Sequence, residues 1–108
     1  MPDINPDIDT AVQKFFMAQN AYKLDDIKLG TKYIKSVDGF ITDQLDYNYA
    51  LLKDNNNEAM DLRTVQLGMQ VLNSMIDTTK GSRQTQLSDQ LQAQLKDYEN
   101  KFAVLENK

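Results

Sequence analysis

Residues 60–76 read MDLRTVQLGMQVLNSMI and are apolar around more than half of a helix. One stripe is Leu62, Val65, Met69, Leu72 and Ile76; a second is Met60, Leu67, Val71 and Met75. At about 100° per residue the two stripes stand roughly 145° apart. Gly68 falls between them, and Arg63, Gln66, Gln70, Asn73 and Asp77 crowd the remaining arc. A helix that buries a single face has no use for a second stripe. This segment is therefore expected either to be the central helix of a bundle or to offer part of its apolar arc to another chain.

The neighbours of this segment are also helical in pattern. Asn5-Pro6 reads as a helix start, with Asn at the cap and Pro in the first turn. Ile8, Ala11, Val12, Phe15, Ala18 and Tyr22 then form one stripe. The phase is lost at Leu24 and Ile27, so the segment breaks near Leu24-Asp25-Asp26 or ends at Gly30. A second segment, from about Thr31 to Lys53, carries Tyr33, Ile34, Val37, Phe40, Ile41, Leu45, Tyr49 and Leu52 on a broad face. Asp54-Asn55-Asn56-Asn57 is the clearest break, because amide side chains compete for backbone hydrogen bonds. Asn55 with Glu58 resembles a capping box opening the third helix.

Residues 78–82 form the next weak point, with Gly81 suited to a left-handed helix end and Ser82 to a cap. A fourth helix from about Arg83 to Leu105 would carry Leu87, Leu91, Leu95, Tyr98, Phe102 and Leu105 on one narrow face. From Leu91 onward the spacing is that of a coiled coil. No segment alternates with period two between turn signals. The expected fold is all-α: a single domain over residues 1–108, an antiparallel bundle of three to four helices or two helical hairpins. The short connections fall near 30, 54–57 and 78–82.

Composition removes most chemistries. There is no cysteine, so disulfides and thiolate nucleophiles are absent, and no histidine, the usual metal ligand and neutral-pH base. The run starting at Asp54 places Ala59 and Val65 where a calcium loop needs Gly and Glu. No phosphate loop is present, and most acids lie on polar helix faces. An enzyme is not expected, and no catalytic residue, metal or cofactor is assigned. The net charge of -4 argues against nucleic acid. Lys28, Lys32 and Lys35 read as a solvated mixed-charge face, interrupted by Asp25, Asp26 and Asp38. No run is long enough to span a bilayer, and MPDINPDIDT lacks the apolar centre of a classical signal peptide. A cytoplasmic location and export by another route fit the sequence equally.

What remains is a protein partner, either another protein or a further copy of this chain. The candidate contact residues are Leu62, Val65, Gly68, Met69, Leu72, Met75 and Ile76. Methionine makes an adaptable apolar surface, and Gly68 would let a second backbone approach closely. In size, acidity and amide content the chain resembles the small helical proteins of bacterial secretion machines, whose needle subunits, translocators and chaperones share this profile. The resemblance is compositional and assigns no residue. It implies a helical subunit or small chaperone of a secretion or surface assembly. The rival expectation is a phage- or plasmid-encoded acidic regulator that binds a protein target through Asp25, Asp26, Asp38, Asp43 and Asp46.

Overall fold

Residues spaced three and four apart turn inward on every helix of the chain. The computed structural model describes residues 8–105. Four helices account for most of them: α1 Ile8–Lys23, α2 Ile27–Lys53, α3 Leu62–Gly81 and α4 Thr85–Lys101. Short 3-10 turns lie at Asn57–Ala59 and Ala103–Leu105, and no strand occurs among the described residues. The start expected at Asn5-Pro6 lies outside the described residues. No helix among them is long and apolar enough to cross a membrane.

One turn design closes α1, α2 and α3. After α1 the amide of Asp25 donates to the carbonyl of Tyr22 and that of Asp26 to Ala21, both at 2.9 Å. After α2, Asn55 donates to Leu52 (3.2 Å) and Asn56 to Leu51 (2.8 Å); after α3, Arg83 donates to Lys80 (3.1 Å) and Gln84 to Thr79 (2.8 Å). This is the Schellman closure, which needs one left-handed residue. Asp25 (φ 63°), Asn55 (59°) and Arg83 (63°) supply it, and no described glycine has positive φ.

The connections therefore differ in detail from the sequence expectation. Of the two positions expected for the first, the break at Leu24-Asp25-Asp26 is the one found, and Gly30 is buried inside α2. Gly81 is the last residue of α3 and Arg83 takes the left-handed position. Thr79, two residues before the end of α3, is fully buried and holds this last turn against the core. Ser82 does not cap α4; Gln84 precedes it without a side-chain cap bond. Asn55 closes α2 instead of opening α3. Asp61 caps α3, accepting from the amide of Thr64 at 3.0 Å. The amide of Asp61 in turn donates to the buried side chain of Asn48 at 2.7 Å, which ties the start of α3 to α2.

The chain runs up, down, up, down. Lys14 reaches Ser36 (3.2 Å) and the Tyr22 and Thr31 hydroxyls meet at 2.9 Å, so α1 lies antiparallel to α2. Ser88 donates to the carbonyl of Ile76 at 3.2 Å, closing the α3–α4 hairpin. α3 packs on all three other helices: directly on α1 and α4, and on α2 through Gly68 beside Ile41 and Leu45. α2 packs on α1 and α3 and meets α4 through side chains. α2 and α3 are thus the central pair, with α1 and α4 on their flanks.

This arrangement explains the two stripes of α3. Gly68, Leu72, Met75 and Thr79 form the buried centre of the arc. Leu67 and Val71 share the side that carries Arg63 and Thr78, which bond to Asp9 and Gln19 of α1. Val65 and Ile76 turn toward α4. Within α3 each stripe serves one flanking helix; Met60, which the sequence pattern puts on the second stripe, precedes α3 and lies on the α4 side. Ile34, Ile41, Leu45, Leu72, Met75 and Leu91 are fully enclosed, and burial of such a side chain contributes about 1.5–3 kcal/mol.

Candidate functional site

Five of the seven candidate contact residues are buried within the chain's own fold: Val65, Gly68, Leu72, Met75 and Ile76. The notch at Gly68 is filled from inside, with Ile41 Cγ2 and Leu45 Cδ2 each 3.4 Å from where a Cβ would stand. Leu62 is 46 % exposed and Met69 is half-buried. The part of the arc that the neighbouring helices leave uncovered is therefore its edge at the start of α3.

That edge lines a groove of about 470 Å³ between the first turns of α3 and the end of α4. Met60, Leu62, Val65, Met69, Phe102 and Leu105 form its apolar walls, and Gln66 and Glu99 its polar groups. The hairpin geometry positions both walls: with Ser88 against Ile76, antiparallel pairing carries Phe102 back to the level of Leu62. Phe102 is locked from behind by an edge-on contact with Tyr49 of α2, ring centroids 5.8 Å apart. The Asp61 cap fixes the angle at which α3 leaves the turn. Hydrogen bonds from the Thr64 amide and hydroxyl hold the Asp61 carboxyl below its ordinary range. Sequence reasoning placed Leu62 and Met69 on one stripe and Phe102 and Leu105 on another, without joining them. It missed Gln66 and Glu99, which carry no local signal.

Two further surfaces are built differently. At the opposite end Leu24 is 81 % exposed, and Ile27, Leu29, Lys28, Lys32 and Lys35 line a shallow hollow of about 710 Å³. The five aspartates of the acidic-regulator expectation do not form one face. Asp26 accepts from the amide of Leu29 and caps α2. Asp38 and Asp46 turn into the seam between α2 and α4, where Gln94 donates to Asp38 (3.2 Å) and Tyr98 to Asp46 (2.6 Å). Asp25 sits in the first turn and Asp43 is exposed on α2. Burial and the Asp46 carboxylate together push the Tyr98 phenol far up. Among the described residues no group of three or more His, Cys, Asp or Glu could hold a metal ion.

The fold defines an all-α protein, an antiparallel four-helix bundle with an apolar groove at one end of its second hairpin. Compared with known protein families, curated proteins and solved structures, the chain shows no significant match to any of them.

Proposed function

We propose that this chain is a non-enzymatic protein-interaction module that receives an apolar side chain of a partner in the groove between α3 and α4. The observation that carries the reading is the lining of that groove, six apolar side chains against Gln66 and Glu99, with Leu62 left 46 % exposed. Methionines at positions 60 and 69 let the walls adapt to more than one side chain. A setting as subunit or small chaperone of a bacterial secretion or surface assembly agrees with the compositional resemblance.

Leu62→Glu tests the proposal. The site is half exposed, so helicity and melting temperature should stay close to wild type, whereas binding should fall at least tenfold, the factor that about 1.4 kcal/mol represents. The readouts are sedimentation of the purified chain over a concentration series and photo-crosslinking from position 62 in the source cell. The complex should persist as salt is raised, because apolar contacts are not screened. A complex that forms equally well with Leu62→Glu, or that dissolves in salt, would overturn the groove and favour a charged face.

A further inference from the structure

Two buried side-chain oxygens among the described residues lack a hydrogen-bond partner, Asp38 Oδ1 and Gln94 Oε1. They belong to the same interhelical contact. Its other half is made: Gln94 Nε2 donates to Asp38 Oδ2 at 3.2 Å. A carboxylate only accepts, so it cannot serve the second amide oxygen. A carboxylic acid has one O–H to donate and can exchange two hydrogen bonds with a primary amide.

We propose that Asp38 and Gln94 form a proton-dependent latch between α2 and α4. On taking up a proton from solvent, Asp38 donates Oδ1–H to Gln94 Oε1 while Gln94 Nε2 continues to donate to Oδ2. No other bond forms or breaks, and both orphaned atoms are satisfied at once. Above that protonation the seam holds a half-buried carboxylate whose buried Oδ1 is unserved, a costly state for that atom.

The surroundings favour the proton. Burial raises the affinity of Asp38 for it, opposed by the single bond from Gln94. From α4 the seam is faced by Tyr98, which feels Asp46, Asp38 and Asp97, and by Lys101, paired with Asp97 at 3.0 Å and lying over the rings of Tyr49 and Tyr98. From α2 it is faced by Asp46 two turns on, with Lys35 one turn before Asp38 exposed to solvent. α1 meets α2 elsewhere, through Lys14 at Ser36, and α3 brings Gly68 against Ile41 and Leu45. The charged groups around the latch are of both signs, and burial is what raises the proton affinity of Asp38. Because the folded chain holds this proton more tightly than the unfolded chain, the stabilisation is full below the ordinary aspartate range. It is lost as pH rises through the folded pKa of Asp38. The inference stands on this seam alone and is independent of the groove.

Asp38→Asn in the full chain replaces the acid by a neutral isostere whose N–H₂ supplies the donor Gln94 Oε1 lacks. At neutral pH this variant should raise the folded-to-unfolded ratio about fivefold, the worth of one hydrogen bond. The advantage should vanish as the solution is acidified and wild type closes its own latch. In the wild-type chain the Asp38 carboxyl carbon, followed by NMR, should titrate above the ordinary aspartate range. The Gln94 side-chain amide resonances should shift with the same midpoint, a response that packing alone would not give. Titration of Asp38 at or below the ordinary value, a Gln94 amide blind to it, or an Asp38→Asn chain less stable than wild type at neutral pH would each overturn the latch. The NMR titration decides the matter even if the variant does not fold.

Discussion

Asp25, Asn55 and Arg83 each hold a backbone conformation in which an L side chain crowds the following carbonyl. Asn and Asp tolerate it through local hydrogen bonding; Arg has no such compensation. Arg83→Gly should therefore stabilise the chain by about 0.5–1 kcal/mol, the relief of strain outweighing the extra freedom glycine gives the unfolded state. Asn55→Gly should change little. Thermal melting of the two variants checks this, and an Arg83→Gly chain that melts below wild type would sink it. Gly81 drew the sequence reading to the wrong position because glycine permits a left-handed turn without requiring one. The left-handed residue is Arg83, two positions on, after a last turn that the buried Thr79 holds against the core. Asp61 and Asp38 show how one residue type is set in opposite directions. Asp61 gains amide donors and titrates low, so its cap weakens in acid; Asp38 loses water and titrates high, so its contact weakens toward neutrality.

At the scale of elements, each hairpin closes over a small residue in the first turn or so of its second helix. Gly30 lies beneath the Tyr22 ring, and Ser88 against the Ile76 carbonyl. A Cβ on Gly30 would stand 2.7 Å from Tyr22 Cδ1, so Gly30→Ala must displace the ring and strain its contact with Thr31. A loss of about 1–3 kcal/mol in urea denaturation is expected. Gly68 is a different case. An added Cβ there meets Ile41 and Leu45 at 3.4 Å, close to ordinary contact, and gains about 1 kcal/mol of helix propensity. Gly68→Ala should match wild-type stability or exceed it, whereas Gly68→Leu should lose the fold, since its space is already occupied by α2. A Gly30→Ala chain as stable as wild type would contradict the α1–α2 packing. The sequence pattern sets Gly30 at a helix end and Gly68 inside a helix; the structure places both inside helices, and the facing atoms separate them.

For the whole molecule, the central position of α2 and α3 sets an order of stability. α1 and α4 each expose an outer face, while α2 and α3 have neighbours on several sides. Amides at Ile41, Leu45 and Leu72 should exchange with solvent only through global unfolding, and those near Phe16 and Glu99 should open earlier. Hydrogen exchange read by mass spectrometry or NMR tests this; protection in α1 outlasting that in α2 would reverse the assignment of the core. The sequence by itself determined an all-α chain of three to four amphipathic helices and the double stripe of α3, because helical period and apolar spacing are local properties. It also carried both walls of the groove as separate stripes. Only the tertiary structure decided which part of those stripes remained uncovered, since that depends on which helix ends meet. Antiparallel closure brings Phe102 to Leu62, and the bundle brings Gln94 to Asp38 across 56 residues of chain. Such meetings leave no periodic trace in a sequence, because the forces that join them act through space between elements that local rules place independently.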